Sequence, residues 1–203
     1  MLTLTGKPFV TSRTGAVGSG QGTSDEALIG AIAAGDRRAM QALYARHNVR
    51  IYRFVLRLTH DSSLAEDIVS EVFIDVWHGA QAFKAKSQVS TWMLAIARHK
   101  ALSALRRRSD EQLDEDAAMA IADPADDAET IVDNRDRSAL VRHCLSQLST
   151  RHREVLDLVY YHEKSVDEVA EIVDAPVNTV KTRMFYARKH MQTLLEAAGL
   201  DAR

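Results

Sequence analysis

From Asp25 to about Arg108 the apolar residues recur at the three-and-four spacing of amphipathic helices: Leu28 and Ile32; Leu43, Ile51, Phe54, Val55 and Leu58; Leu64, Ile68, Val72, Phe73 and Val76; Trp92, Ile96, Leu102 and Leu105. No stretch of alternating apolar and polar positions interrupts them. The spacing predicts three or four helices, enough for a bundle of about 80 residues. Residues 109–125 are acidic, contain Pro124 and offer few large apolar side chains, so they are expected to form a flexible linker. A second helical block starts at about Asp126, where Val141, Cys144, Leu145 and Leu148 share one face; Cys144 is therefore read as a small core residue and not as a nucleophile.

Within that block a helix is expected from Arg151 to about His162. Ser165 and Glu168 have the spacing of a capping box, opening a short helix from Val166 to Val173. Asp174-Ala175 make a turn, Pro176 stands where a first-turn proline is tolerated, and a longer helix runs to about Leu195. Helix, short helix, tight turn and longer helix form a helix-turn-helix pattern. The Gly/Ser/Thr-rich residues 1–24 lack periodicity and read as a disordered tail. The expected fold is all-α: two small helical domains, 25–108 and 126–203, joined by the acidic linker 109–125.

Nine Gly and three Pro among 203 residues suit such a helical chain. One Cys excludes a disulfide-stapled secreted scaffold and points to a reducing cytoplasm. No apolar run approaches the ~20 residues of a bilayer span, so no membrane insertion is expected. The net charge of −2 hides a strong asymmetry along the chain. Residues 1–24 carry +2, residues 25–108 carry +5, residues 109–135 carry −9 and residues 136–203 carry 0. Such asymmetry is characteristic of nucleic-acid contacts and interaction tails.

Three surfaces follow from residue chemistry. On the last helix, Val177, Val180, Met184, Ala187, Met191 and Leu195 fall on one face, with Asn178, Thr182, Phe185, Tyr186 and Lys189 opposite; Lys181 and Arg188 flank one side and Arg183 the other. Two adjacent outward aromatics beside cations suit a major groove, which admits one helix. The segment from Trp77 to Arg108 interleaves aromatic and basic groups, the combination that exposed bases and phosphates require. Trp77 and Trp92 fit equally well as plain core aromatics. Asp67, Glu71 and Asp75 stand at successive turns of one helix, with Glu66 beside them, a like-charge ladder that costs a few tenths of a kcal/mol per pair unless a basic partner covers it. A solvated face is the alternative; a metal site is disfavoured, because carboxylates at three successive turns do not converge on one ion. The eight His form no cluster, and no phosphate loop or nucleophile elbow is present, so no catalytic residue, metal or cofactor is expected.

Two stretches carry a resemblance. Leu64-Ala65-Glu66-Asp67-Ile68-Val69-Ser70-Glu71-Val72-Phe73 with Val76-Trp77, then Ser90-Thr91-Trp92-Met93-Leu94-Ala95-Ile96-Ala97-Arg98, resemble region 2 of the extracytoplasmic-function (group 4) sigma factors of bacterial RNA polymerase, of the sigma-70 family. Leu148-Ser149, Arg153-Glu154-Val155-Leu156, Val169-Ala170 and Thr179-Val180-Lys181-Thr182-Arg183 with Ala187-Arg188 resemble their region 4. The resemblance implies that Glu66, Asp67, Glu71 and Asp75 bind core RNA polymerase. It implies that Phe83, Lys84, Lys86, Ser87, Trp92, Arg98, His99 and Arg106 contact the −10 element of promoter DNA. It implies that Asn178, Thr179, Lys181, Thr182, Arg183, Phe185, Tyr186, Arg188 and Lys189 contact the −35 element, and that an anti-sigma factor is a further partner. The turn Asp174-Ala175-Pro176-Val177-Asn178 is more polar than the family's common Gly-containing turn, with Asn178 available for unusual backbone angles. His99 stands where the family often has Asn. A stand-alone helix-turn-helix regulator, and an enzyme built on Cys144 and a His, are the readings from other classes.

Overall fold

A computed structural model describes residues 23–112 and 132–199, and every regular element among them is helical. The first domain holds α1 (Asp25–Ala33), α2 (Arg37–Thr59), α3 (Ser62–Gly79), a 3-10 turn (Ala80–Ala82) and α4 (Val89–Gln112). The second holds α5 (Val132–Ser146), α6 (Thr150–Leu156), a π-helical stretch (Asp157–Tyr161), α7 (Val166–Val173) and α8 (Val177–Ala197). The expected tail and most of the expected acidic linker lie outside the described residues. α4 continues four residues past Arg108, into the segment expected to be linker.

Short acids start α2 and α3. Asp36 accepts from the backbone N–H of Arg38 (2.7 Å) and Ala39 (3.3 Å), and Asp61 accepts from Leu64 (2.9 Å), so each carboxylate satisfies amides that have no partner inside their helix. The Leu64 N–H, helped by the Arg108 guanidinium, holds the Asp61 carboxyl below its ordinary range. α2 ends where His60 turns left-handed at φ 54°. Asp25 ties α1 to α2, binding Arg46 and, at 2.7 Å, His47 Nε2.

α2 packs on α1, α3 and α4 around Leu43, Ile51, Phe54, Val55, Val72, Val76 and Met93, all 1% exposed or less. Burying each of the larger side chains contributes about 1.5–3 kcal/mol relative to exposure. α4 departs from the expected stripe. Its buried face is Val89, Met93, Leu94, Ala97, Ala101 and Ala104, while Leu102 is exposed and Ile96 and Leu105 are half-buried. Small residues on that face let α4 lie close both to α2 and α3 and to α7 of the second domain.

In the second domain α8 packs on α6, α7 and α5. Cys144 is buried, as its helical spacing implies. Ser149 caps α6, and Ser165 and Glu168 close the expected capping box on α7. The helix expected to reach His162 is α-helical only to Leu156 and then widens into the π-helical stretch. Asp174, and not Asn178, takes the left-handed turn position at φ 49°, which its short polar side chain tolerates. Pro176 is the N-cap of α8; its carbonyl accepts from Thr179 (2.8 Å) and Val180 (3.1 Å).

Candidate nucleic-acid interfaces

α8 presents the division read from its sequence. Val180, Met184 and Ala187 are buried; Val177, Met191 and Leu195 are half-buried. Asn178, Lys181, Thr182, Phe185, Tyr186, Arg188 and Lys189 are exposed, and Thr179 and Arg183 are half-buried beside the apolar stripe. Phe185 and Tyr186, 58% and 53% exposed, meet only edge-to-face, with ring centroids 5.4 Å apart. Two large aromatics standing in water on one turn cost hydrophobic free energy that contact with a partner recovers. The Thr182 hydroxyl donates back to the Asn178 carbonyl at 2.9 Å, so its one donor is already used within the helix.

In the first domain the loop between the 3-10 turn and α4 projects Lys84 and Lys86 into solvent, with Ser87 half-buried. Ala85 between the lysines has φ +50°, a left-handed conformation that costs a residue with a Cβ about 1–2 kcal/mol. Phe83 and Trp92 form a half-buried ring pair 4.9 Å apart, and the Trp92 ring lies against Gly79, where an added Cβ would come within 3.3 Å of it. Along α4, His99 and Arg106 are exposed, whereas Arg98 turns toward the second domain. Its Nε donates to Glu154 Oε1 at 2.7 Å and its Nη2 to Oε2 at 3.4 Å.

The acidic ladder on α3 is exposed at Glu66, Asp67, Glu71 and Asp75, but it is not bare. Lys100 of α4 reaches Glu71 at 3.1 Å and Asp75 at 2.9 Å, so part of the repulsion is relieved from within the domain. Burial alone would lower the Lys100 pKa; the hydrogen bonds that its ammonium donates to Asp75 and Glu71 outweigh it and raise the pKa above its ordinary value. Ile74, exposed on the same helix, adds an apolar contact point to the acidic face.

The residues that sequence reasoning missed lie where the domains meet. Asp157 pairs with Arg57, whose guanidinium also sits 4.2 Å from the centre of the Tyr161 ring; Arg53 donates to the Tyr161 hydroxyl at 2.6 Å. The Lys164 ammonium donates to Gln88 (3.2 Å), Ser90 (2.6 Å) and Glu168 (3.1 Å), using all three of its donors. Glu168 accepts in addition from the Thr91 hydroxyl (2.6 Å) and from the Ser165 amide and hydroxyl (3.0 Å each). Burial raises the Glu168 pKa, and these donors reverse the shift, bringing it down to about 2. Among the described residues no three His, Cys, Asp or Glu gather as metal ligands, and no helix is long and apolar enough to cross a membrane.

The sequence matches the family described as Sigma-70 region 2 over residues 43–111 and that described as Sigma-70, region 4 over residues 138–191. The chain belongs to the sigma-70 family, in its extracytoplasmic-function (ECF) group. Among similar proteins, the ECF RNA polymerase sigma factor SigK of Mycobacterium tuberculosis is 28% identical over 177 residues, spanning 85% of this chain and 94% of SigK. The RNA polymerase sigma-H factor of Pseudomonas aeruginosa is 28% identical over 187 residues, spanning 86% and 97%. Two solved structures share the fold at 24% identity. CnrH, in complex with the cytosolic domain of CnrY, has a TM-score of 0.62 over 85% of this chain and 97% of CnrH. RpoE of Bartonella quintana, in complex with the anti-sigma factor NepR, has a TM-score of 0.66 over 77% and 96%. This ECF sigma factor is thus a promoter-directing subunit from a family of transcription regulators, with the region 2 match running from α2 through α4 and the region 4 match from α5 into α8.

Proposed function

We propose that this sigma factor docks on core RNA polymerase through the acidic face of α3, receives the opened −10 strand at the loop before α4, and reads the −35 element with α8. The observation that carries the reading is the outward display on α8, Lys181, Phe185 and Tyr186, opposite a fully apolar inner stripe. Thr182, Phe185 and Tyr186 offer methyl and ring contacts to base edges, Lys181 donates to guanine, and Arg183 and Arg188 reach the two phosphate walls. In the loop, Lys84 and Lys86 track phosphates while the half-buried Phe83–Trp92 pair walls the place where a base turns out of the stack. Polymerase performs the chemistry, and the sigma factor acts in the cytoplasm as a specificity factor without catalytic residues of its own.

We further propose an anti-sigma factor as its regulator, as NepR is the partner of RpoE. The test of the promoter roles is permanganate footprinting of open complexes formed by holoenzyme. Replacing Lys84 and Lys86 by Ala should lower strand opening on duplex promoters far more than on promoters with a pre-opened −10 region. Equal loss on both templates, or no loss, would remove these residues from melting.

A further inference from the structure

We infer that Gly79, the last residue of α3, is a positioning residue for promoter opening: by carrying no side chain it sets how far the Trp92 indole sinks toward α3, and so the depth of the shelf on which the turned-out −10 base stacks, an inference that rests on the −10 reading of the Phe83–Trp92 pair.

The backbone gives no reason for glycine at this position. Gly79 has φ −88° and ψ −8°, a right-handed conformation open to any residue, unlike Gly35 and Gly199, which follow helix ends at φ +88° and +79°. Glycine in a helix is also less favourable than alanine, because it loses more backbone freedom on folding. What a Cβ would meet is the indole. Cζ2 of Trp92 would stand 3.3 Å away and Cη2 3.6 Å away, with nothing else within 4 Å beyond the chain neighbours and the backbone of α3 itself. The shorter distance is inside the ~3.5–4.0 Å at which carbon atoms attract.

The ring, and not the helices, has to give way. α3 and α4 pack together in the core of the first domain, where Val72, Val76 and Met93 are fully buried. Lys100, two turns past Trp92 on α4, is bonded to Asp75 and Glu71, one and two turns before Gly79 on α3, and these links hold the helices at a fixed separation. The 3-10 turn between Gly79 and Phe83 is held as well: Ala80 is buried, and Gln81 Nε2 donates to the Ala33 carbonyl of α1 at 3.2 Å. Trp92 is half-buried and meets Phe83 at 4.9 Å with the rings tilted by 37°. A methyl group on residue 79 therefore pushes the indole outward and out of its fit with Phe83, and the shelf becomes shallower.

The test is binding by holoenzyme to promoters with a pre-opened −10 region, each non-template position being varied through the four bases. Gly79→Ala should lower affinity for the preferred base at one −10 position about tenfold, the scale of one base–aromatic stack, and leave the other −10 positions and the −35 preference as in the wild type. The melting temperature of the free chain should stay equal or rise, since alanine favours the helix. Trp92→Phe, whose ring ends short of Cζ2 and Cη2, should weaken the same position, and Gly79→Ala added to Trp92→Phe should change it no further. Gly30→Ala in α1, where a Cβ meets nothing within 4 Å, should raise the melting temperature and leave the −10 profile alone. An unaltered profile for Gly79→Ala beside a flattened one for Trp92→Phe would overturn the positioning role and leave the −10 reading intact. Equal losses from Gly79→Ala with and without Trp92→Phe would do the same. A lower melting temperature with affinity lost at −35 positions as well would make Gly79 an ordinary packing residue. A profile unmoved by either substitution would overturn both the positioning role and the −10 reading of the ring pair.

Discussion

Arg98 of α4 and Glu154 of α6, 56 residues apart in sequence, form a two-bond ion pair across the domain boundary, with the carboxylate almost wholly out of water. Removing one partner leaves the other buried and uncompensated. Arg98→Ala should therefore destabilise the folded chain by about 3 kcal/mol in urea melts. Adding Glu154→Leu to Arg98→Ala should recover most of that loss. A double variant no more stable than Arg98→Ala would show that burial of the charge is not what sets the cost.

Acid should loosen the same boundary in a defined window. The Glu168 pKa falls from 4.5 to about 2 in the folded chain, so its carboxylate stabilises the folded form fully above about pH 4.5. That contribution is lost as pH falls toward about 2. Thermal melts of the wild type should lose stability progressively over this window. Glu168→Gln should start lower at neutral pH and show a shallower decline. Parallel pH profiles for the two proteins would contradict the assignment.

The ladder on α3 gives a prediction of opposite sense. Lys100 neutralises Glu71 and Asp75 from within the domain, so Lys100→Met leaves a more negative docking face. The substitution should cost only a few tenths of a kcal/mol in stability and strengthen association with core polymerase by roughly 1 kcal/mol. Glu71→Lys should weaken it. Titration of labelled sigma with core polymerase reads both effects. Weaker association for Lys100→Met would mean that Lys100 itself contacts polymerase.

On α8, base reading and phosphate anchoring should separate by salt. Lys181→Ala or Tyr186→Ala should cost ~1–3 kcal/mol on the preferred −35 sequence and relax the preference there, whereas Arg188→Ala should weaken all sequences alike and reduce the salt slope by about one. Holoenzyme binding to a −35 library at two salt concentrations distinguishes these outcomes. An altered sequence profile for Arg188→Ala with none for Tyr186→Ala would reverse the roles.

Much of this architecture was legible because large apolar side chains mark most of the buried faces. Ile51, Phe54, Val55 and Leu58 betray α2, and Val180, Met184 and Ala187 divide α8 into an inner and an outer face. α4 was harder, since its buried stripe is carried by Ala97, Ala101 and Ala104 and its larger Leu102 is exposed. The capping box of Ser165 and Glu168 was visible from spacing, but the bonds from Thr91 and Lys164 that make Glu168 an interdomain residue were not. The pairs Arg98–Glu154, Arg57–Asp157 and Arg53–Tyr161 join residues 56, 100 and 108 positions apart, and no local pattern encodes such a match. The π turn escaped for a related reason: Asp157 to Tyr161 has an ordinary helical sequence, and its widening is visible only beside α2.

This chain confers promoter specificity on polymerase. Transcription in vitro by purified core polymerase, with and without the chain, over a genomic promoter library tests it most directly. Chain-dependent transcripts should share one −35 and one −10 sequence, with Lys181→Ala relaxing the first and Lys84→Ala with Lys86→Ala impairing use of the second. Sequence-specific duplex binding by the chain alone, with no chain-dependent transcript from any promoter, would contradict it.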